Sequence, residues 1–404
     1  MLSAVNTVLL RLLPGAVLLV ALTVALHSVR LRAAVWPLLP AYPLVVLGGG
    51  ILLAWRFDRS RLVFTLGALL LADRALLLWA PVDGSGGDLG RVMFGALAIL
   101  LPLDLAALAW LPERGLLARP GRLALAVLGA QAILIALLCQ PLFLPIAVRL
   151  DAPRAGGALG ALAPVALVSF TFAFAILARR AVLQVTSIES GVVWALVAAF
   201  LALGAGGGGL DSSAYFATGG LILVLSLMET WHRMAYDDEL TGLPARRALN
   251  EALARLRGVY TVAMVDVDHF KRFNDEHGHD VGDQLLRMVG ARLGEIGGGG
   301  RAFRYGGEEF AVLFPGKGVT EARIHLEGLR RTIEAASFTL RGPHRPRARP
   351  ESPAPDDARR RIAITVSIGA AAAGNEGSPA DDVVRAADQA LYRAKQGGRN
   401  QVCT

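Results

Sequence analysis

The stretch "RYGGEEFAVLF", from Arg304 to Phe314, decides how the C-terminal part of this 404-residue chain folds. Two glycines and two glutamates separate two runs that are typical of strands, so the stretch predicts a β-hairpin. Gly306 and Gly307 fit a two-residue turn, in which both central residues need a positive φ. Glycines at a turn also leave the backbone open to the approach of a bulky anion.

Glu308 and Glu309 follow this turn, where the chain re-enters the predicted sheet. Adjacent carboxylates repel each other unless a cation lies beside them. Taken alone, the pair is better explained as two solvated acids on an edge hairpin. A second acidic pair changes that interpretation. Asp266 and Asp268 end the apolar run "VYTVAMVDVD", two residues apart and therefore on one face of a strand.

Two acidic clusters in one domain predict a site for a hard cation such as Mg²⁺, which prefers oxygen ligands and shares its shell with substrate phosphates. The lysines point the same way, because the chain has only three and uses Arg elsewhere. Lys271 lies three residues after Asp268, and Lys395 lies in "AKQGGRN" near the C-terminus. A compact ammonium suits a phosphate as a point charge. We interpret Lys317 as an ordinary loop residue.

The elements around the hairpin alternate between helix and strand. A helix over about 244–256 precedes the strand at 259–268, and helical and strand patterns then interleave up to the last helix, "PADDVVRAADQALYRAKQGG". This order predicts a compact α/β domain with a mixed sheet. Residues 341–361, "RGPHRPRARPESPAPDDARRR", contain five prolines and predict a surface insertion without regular structure.

The first part of the chain has a different composition. Residues 1–230 hold 15 Arg, no Lys and 10 acidic residues, so 25 of the 74 charged residues lie in more than half of the chain. A helix that crosses the hydrocarbon core needs about 20 mostly apolar residues. We predict eight such spans, at about 7–27, 35–55, 62–81, 92–111, 123–147, 158–178, 191–208 and 213–231.

Loop charge predicts the orientation of these spans. If the loops alternate between two sides, "RFDRSR", "PERGLLARPGR" and "RRAVLQVTSIESG" share one side and carry eight Arg, against five on the other. The positive-inside rule places the eight-Arg side, and with it both termini, in the cytoplasm. Asp73, Arg74 and Asp104 fall inside predicted spans. We interpret them as a pairing of Asp73 or Asp104 with Arg74 that fixes helix packing, rather than as a functional site.

Two function classes are disfavoured by the composition. The two cysteines, Cys139 and Cys403, do not suggest a disulfide framework or a cysteine-rich zinc site. The net charge of +8 comes from Arg in loops and in the insertion, with no basic face interleaved with aromatics, so we expect no nucleic-acid partner.

Several ordered motifs resemble a GGDEF domain, the diguanylate cyclase family: "DELTGLPARR", "DVDHFKRFND", "HGHDVGD", "RYGGEEF", "TVSIGA" and "ADQALYRAKQGGRN". The resemblance covers about residues 235–404, and the membrane part is left unassigned. The apolar runs predict an all-α polytopic membrane domain of about eight helices (1–231), followed by a helical stalk (232–241). The resemblance implies an α/β (α+β) GGDEF domain related to class III nucleotide cyclases (242–404).

The resemblance also implies a reaction, in which two GTP molecules are joined into cyclic di-GMP with release of two pyrophosphates. By motif, Asp266, the backbone carbonyl of Val267, Glu308 and Glu309 would hold Mg²⁺, with Mn²⁺ as an alternative. Glu308 would be the general base and Lys271 would stabilise the transition state. The remaining implied substrate contacts are Asn274 and Asp283 to guanine, His279 close to the substrate, Lys395 and Arg399 to the terminal phosphates, and Gly306 and Gly307 at the turn.

Each such domain binds one GTP, so the resemblance implies a homodimer with facing domains in the cytoplasm of a bacterium, anchored in the lipid of the inner membrane. Downstream receptors of cyclic di-GMP would be indirect partners. Three rival interpretations stay open at this point. They are a catalytically weak GTP-binding receptor domain, a cyclase that makes a mixed guanine–adenine product, and a transporter with an attached regulator.

Overall fold

The computed structural model describes residues 2–79, 87–140, 142, 162–184, 186–205, 209–336, 338–339, 361–374 and 379–404. The predicted insertion at 341–361 therefore lies outside the described residues except for its last position. The chain forms two compact units, Met1–Trp231 and His232–Thr404. We describe each unit by itself.

The first unit is helical. Among the described residues of this unit, six helices are long and apolar enough to cross a membrane, and a seventh candidate is a pair of segments, Arg11–His27 and Val29–Leu38, bent by 103°. The described helices are α1 (Leu2–His27), α2 (Val29–Val35), α3 (Gly49–Arg56), α4 (Ser60–Trp79), α5 (Gly87–Leu108), α6 (Arg119–Leu138), α7 (Pro164–Leu183), α8 (Ser187–Gly204) and α9 (Leu210–Tyr236).

The continuous helix predicted over 35–55 is wrong. This segment contains a 3₁₀ turn at Trp36–Leu38 and a π-helical stretch at Leu44–Gly48 that leads into α3. Three prolines between 37 and 43 explain the break, because each removes a backbone donor and clashes with the preceding turn.

The broken segment nevertheless runs alongside α9 and in the same direction. Near its start, Tyr42 Oη lies 3.0 Å from Thr218 Oγ1. Near its end, the ring of Phe57 lies 4.3 Å from the ring of Trp231. The segment therefore follows α9 from Thr218 to Trp231, although it is not one continuous helix.

Ion pairs join the loops at each end of this unit. At one end, Glu189 accepts from Arg61 at 2.9 Å and from Arg180 at 2.8 Å, while Glu113 accepts from the backbone N–H of Arg61 at 3.2 Å. These residues belong to the three Arg-rich loops that the sequence assigns to one side. At the other end, Arg32 donates to Asp211 at 3.1 Å, which joins two loops assigned to the opposite side. The contacts thus agree with the predicted grouping of these loops.

Asp73 and Asp104 lie within predicted spans. Asp73 is buried and pairs with Arg74, and it also accepts from the hydroxyl of Ser213. The predicted pairing with Arg74 is therefore confirmed for Asp73. Asp104 instead accepts from the side-chain amide of Gln131 at 2.9 Å.

The second unit is built on a five-stranded sheet in the order β2-β3-β1-β6-β7, antiparallel except for the β6–β7 pair. The mixed sheet predicted from the sequence is present. The strands are β1 (Tyr260–Val267), β2 (Arg301–Arg304), β3 (Glu309–Pro315), β6 (Val366–Ala373) and β7 (Val402–Cys403), with β4 (Phe338–Thr339) and β5 (Arg361–Ile362) forming a separate pair.

Helices cover both faces of this sheet. They are α10 (Arg246–Arg255), α11 (Phe270–His277), α12 (His279–Gly294), α13 (Val319–Ala335) and α14 (Ala380–Gln396). Helices α11, α12 and α13 pack on one face with Phe270, Leu286 and Leu326, and helices α10 and α14 pack on the other with Leu249 and Leu391. Strand β1 is central, and all eight of its residues are buried.

The stalk predicted at 232–241 is shorter than expected, because α9 ends at Tyr236. The chain then turns, and the backbone N–H of Asp238 donates to the carbonyl of Leu243 at 2.8 Å. Thr241 explains this early end, since its backbone N–H and its hydroxyl both donate to the Asp238 carboxylate, at 2.8 and 2.7 Å.

Candidate active site

The hairpin at the centre of the site exists, but its turn differs from the prediction. Strands β2 and β3 are joined by residues 305–308, and neither Gly306 nor Gly307 has a positive φ. The backbone N–H groups of Tyr305 and Gly306 both donate to the carbonyl of Glu309, at 2.9 and 3.0 Å. This longer loop removes the need for left-handed glycines.

Gly306 leaves room for a neighbouring side chain. A Cβ on Gly306 would lie 3.0 Å from Oε2 of Glu309, which is tighter than nine in ten such contacts. The glycine therefore makes room for the Glu309 carboxylate beside the turn. No atom lies within 4 Å of the corresponding position on Gly307, so that side remains open.

Asp266 lies at the end of the central strand β1, opposite Glu309 on β3 and Ser367 on β6. Its side chain is only 6% exposed. Nζ of Lys395, in the last turn of α14, lies 2.8 Å from Asp266 Oδ2. Burial raises the pKa of Asp266 above its ordinary value although Lys395 and Arg399 oppose the shift.

Glu308 lies in the loop just before β3, and its carbonyl accepts from the backbone N–H of Val267 at 3.4 Å. Burial raises the pKa of Glu308, and the negative charges of Asp266 and Glu309 raise it further against the pull of Lys395. The strand register therefore brings together the four residues that the sequence nominates for the metal: Asp266, Val267, Glu308 and Glu309.

These residues fit a magnesium ion that takes most of its shell from substrate. Among the described residues, no group of three or more His, Cys, Asp and Glu is arranged to hold a metal by itself. Mg²⁺ is commonly held by only one or two carboxylates plus phosphate oxygens. Burial raises the pKa of both Asp266 and Glu308, and a cation bound beside these carboxylates would stabilise their charged forms.

Asp268 lies on the same side as Asp266, as predicted, because Ser367 is opposite Asp266 on β6 and donates its hydroxyl to Asp268. The negative charge of Asp268 also raises the pKa of Asp266. Strand β1 ends at Val267, and the Asp268 carboxylate is satisfied by protein donors. It accepts from the hydroxyls of Thr365 and Ser367, each at 2.7 Å, and from the backbone N–H of Asn400 at 3.1 Å. Asp268 therefore ties the turn after α14 to the end of β1.

That turn carries the predicted phosphate ligand Arg399, which is exposed and has a φ of 66°. The turn is held from a second side by Arg330 of α13, which donates to Oδ1 of Asn400 at 2.7 Å. The Asn400 side-chain amide in turn donates to Glu334 at 2.6 Å. Asn400 thus fixes the backbone on which Arg399 is mounted, a role that the sequence analysis missed.

Asn274 and Asp283 lie on the adjoining helices α11 and α12, and both are half-buried. Among the described residues, Oδ1 of Asn274 is buried and has no hydrogen-bond partner. A Cβ on Gly282 would lie 1.8 Å from that oxygen, so the glycine makes room for the amide. An unpartnered buried acceptor is costly unless a ligand donates to it.

Lys271 and His279 are exposed on α11 and α12. Within the described part of the chain, the structure gives neither of them a contact to the Asp266–Lys395 pair. The structure thus places them on the helices that carry Asn274 and Asp283, and leaves their predicted roles untested.

Arg304 is a site residue that the sequence analysis missed. Its guanidinium donates to the carbonyls of Gly306 at 3.1 Å and Gly307 at 2.7 Å, and to Asp238 at 2.7 Å. Burial alone would raise the pKa of Asp238, but hydrogen bonds from Arg304 and Thr241 lower it. The available signal was an Arg directly before the signature together with an Asp in "DELTG".

Comparison with known proteins agrees with this geometry. Residues 235–401 match the family model described as "Diguanylate cyclase, GGDEF domain". Diguanylate cyclase DgcP of Pseudomonas aeruginosa is 38% identical over 186 residues, which cover 44% of this chain and 25% of DgcP. Diguanylate cyclase VdcA of Vibrio cholerae is 36% identical over 172 residues, covering 42% of this chain and 46% of VdcA.

The chain spans less than half the length of each of these curated relatives. Among solved structures, the coiled coil and GGDEF domain of DgcB from Caulobacter crescentus, crystallised in complex with c-di-GMP, is 32% identical. The match covers 45% of this chain and 91% of that one, with a TM-score of 0.39.

Proposed function

Since residues 235–401 belong to the GGDEF domain family, we propose that this chain is a membrane-bound diguanylate cyclase that condenses two GTP molecules into cyclic di-GMP. The observation that carries the proposal is the meeting of Asp266, Glu308 and Lys395 at the end of the central strand. There, two carboxylates with raised pKa values lie beside an ammonium group and an open glycine turn.

The reaction asks the protein to position groups and neutralise charge. The 3′-oxygen of one GTP forms a bond to the α-phosphorus of the other, the bond to pyrophosphate breaks, and the hydroxyl proton passes to Glu308. A second identical step closes the ring. A general base works best when its pKa lies near the operating pH, so the raised pKa of Glu308 suits this role.

Mg²⁺, or Mn²⁺ as an alternative, would be held by Asp266, Glu308, Glu309 and the carbonyl of Val267, and would neutralise charge that develops on the phosphates. Lys395 already contacts Asp266, so one ammonium group can serve both the carboxylate and a terminal phosphate. Arg399, fixed through Asn400, extends the positive surface. Lys271 is assigned to the transition state through the family resemblance.

Guanine recognition falls to Asn274 and Asp283. The buried Oδ1 of Asn274 lacks a donor among the described residues, and a guanine edge offers N–H groups to such an acceptor. Asp283→Ser removes the neighbouring acceptor and is expected to cost about 1–3 kcal/mol of discrimination. Competition between GTP and ATP, followed by product masses, tests this assignment and the rival mixed dinucleotide together.

We further propose that the enzyme acts as a homodimer, because one domain holds one GTP and the product needs two. The first unit would anchor it in the bacterial inner membrane by eight crossings, of which the broken segment beside α9 is one. GTP and Mg²⁺ are cytosolic, which agrees with the eight-Arg side facing the cytoplasm. The membrane domain would regulate the rate through the arrangement of the dimer.

Product analysis tests the proposal. The full chain, purified in lipid nanodiscs and incubated with GTP and Mg²⁺, is expected to yield cyclic di-GMP and two equivalents of pyrophosphate. The alternative, a catalytically weak GTP-binding receptor, predicts saturable GTP binding without either product. The complete motif set, including Asp266, Lys271 and Glu308, favours the enzyme.

A further inference from the structure

A crevice of about 570 Å³ opens at the end of the first unit that carries the Arg32–Asp211 pair. It lies where α1 ends, α2 begins and α9 begins. Its polar lining consists of Thr23, His27, Arg32, Asp211 and Tyr215. A cavity of this size with a few convergent polar groups on an apolar wall is typical of a small-molecule site.

The ion pair in this crevice is accessible. Arg32 Nη2 lies 3.1 Å from Asp211 Oδ2, and the two side chains are 45% and 35% exposed. The Arg61–Glu189 pair at the other end of the unit is 9% and 3% exposed. The guanidinium of Arg32 lies 4.9 Å from the centre of the Trp36 ring, and this contact orients the side chain. The two charges are therefore oriented yet available to a ligand.

The rest of the wall offers an apolar surface and a hydroxyl pair. Leu26 and Tyr215 are 4% and 5% exposed, and Phe200 also lines the crevice. Thr23 Oγ1 lies 3.1 Å from the Tyr215 hydroxyl. A ligand here would meet one cation and one anion on one side and an aromatic and aliphatic wall on the other.

We propose that this crevice binds a small zwitterion of the amino-acid type with an apolar side chain. The ligand carboxylate would pair with the Arg32 guanidinium, and its ammonium group with the Asp211 carboxylate. Both protein charges then exchange one partner for another, so no charge loses its partner. A simple acid would leave Asp211 facing a second carboxylate, and a simple amine would leave Arg32 facing a second cation.

The site is independent of the cyclase chemistry, and its test needs no enzymatic activity. The full chain in nanodiscs of a zwitterionic lipid is titrated by calorimetry with three compounds of nearly equal size: L-phenylalanine, 3-phenylpropionate and 2-phenylethylamine. We expect saturable binding of L-phenylalanine that is at least tenfold tighter than that of either singly charged analogue. L-leucine, as a second zwitterion, is expected to bind within tenfold of L-phenylalanine.

Two variants and a matched control complete the test. Arg32→Gln and Asp211→Asn are each expected to weaken L-phenylalanine binding at least tenfold with an unchanged melting temperature, because both residues are partly exposed. Asp88→Asn breaks another exposed pair, with Arg91, that does not line the crevice, and is expected to change nothing. Equal affinity for the three phenyl compounds, tighter binding of the acid or the amine, no saturable binding of either amino acid, or unchanged binding in both variants would overturn the proposal.

Discussion

Buried charge is treated differently in the two units of this molecule. In the helical unit, Glu189 is 3% exposed and accepts from two arginines, so its charge is fully compensated. In the second unit, Asp266 is buried to a similar degree but pairs with one lysine, and Glu308 faces other carboxylates. The first arrangement holds helices together, while the second leaves negative charge for a ligand cation to neutralise.

The largest effect is expected at the under-compensated site. Glu308→Gln keeps the shape of the side chain but removes the base and one charge, and cyclisation should fall at least a thousandfold. Glu295→Gln, which alters an exposed glutamate paired with Arg292, serves as the control and should keep full activity. Initial rates of pyrophosphate release from both variants make the comparison. A folded Glu308→Gln protein with near-normal rates would remove Glu308 from the mechanism.

The same variant carries a prediction about stability. A carboxyl group whose pKa is raised on folding binds its proton more tightly in the folded state, so it destabilises the fold as pH rises through that raised pKa. Without Mg²⁺, Glu308→Gln should therefore melt no lower than the parent at neutral pH, and its advantage should disappear in acid. Thermal melts across pH check this, and a lower melting point at neutral pH would contradict it.

Removing the carboxylate from the compensated network around Glu189 should instead destabilise the protein. Glu189→Ala leaves Arg61 and Arg180 buried without their shared carboxylate, and should cost about 3–5 kcal/mol of stability in the helical unit. The exposed pair of Arg91 and Asp88 is the control, and Asp88→Ala should cost less than about 1 kcal/mol. Denaturation of the full chain in detergent compares the two. Equal losses would show that the Glu189 network does not hold the helices.

A smaller effect is expected at Arg304, which holds the signature turn without lying among the acids. Arg304→Gln loses the charged bridge from Asp238 to the carbonyls of Gly306 and Gly307, so the turn should lose its fixed position. We expect kcat to fall by about 10- to 100-fold, the range typical when a positioning group is lost. Arg301→Gln on the same strand, whose Arg side chain is exposed, is the control. An unchanged kcat in Arg304→Gln would show that Arg304 contributes to the fold and does not position the turn for catalysis.

The smallest effect concerns feedback by the product. Many members of the resembled family carry an Arg-x-x-Asp product site, and the equivalent positions here are Gly297 and Gly300. Two glycines supply neither charge nor side-chain donor, so rates at saturating GTP should not fall as cyclic di-GMP accumulates. Rates at rising product, paired with calorimetry, check this. Tight product binding with a matching fall in rate would point to a substitute site.

The structure also indicates why the Arg-x-x-Asp product site could not be created simply by substituting Gly297 and Gly300. A Cβ on Gly300 would lie 2.7 Å from the ring of Phe314, and Gly298 between the two positions has a φ of 70°. Gly300→Asp should therefore destabilise the unit, whereas Gly297→Arg, which meets only His325 at 3.6 Å, should be tolerated. Melting temperatures of the two variants make this comparison.

The strands and helices could be predicted where the pattern is long, as in the eight buried residues of β1 and the last helix. Conformations that depend on contacts between residues far apart in the sequence could not be predicted. The turn at Gly306 follows from two hydrogen bonds to Glu309, and glycine alone does not specify the sign of φ. The role of Asp268 depends on Ser367 and Asn400, which are 99 and 132 residues away in sequence.

The predicted membrane spans show the same limit of what the sequence predicts. Hydrophobicity predicts that residues 35–55 cross the apolar layer, and their contacts with α9 agree with that path. Hydrophobicity does not predict the 3₁₀ turn, the π-helical stretch or the break between them, in a segment that contains three prolines. The four metal-ligand candidates were found because motif order fixed their register, whereas the Arg304 bridge needs a partner 66 residues earlier.

The most direct test of the account compares two aspartates that lie two residues apart. Asp266 is under-compensated and is assigned to the cation, whereas Asp268 is satisfied by three protein donors and is assigned to structure. The measurement is calorimetry of 3′-deoxy-GTP, which lacks the attacking hydroxyl, with and without Mg²⁺, alongside a thermal melt. The account predicts that Asp266→Asn abolishes the Mg²⁺-dependent gain in affinity and keeps the melting temperature, while Asp268→Asn lowers the melting temperature. A full Mg²⁺ effect in Asp266→Asn would contradict the account.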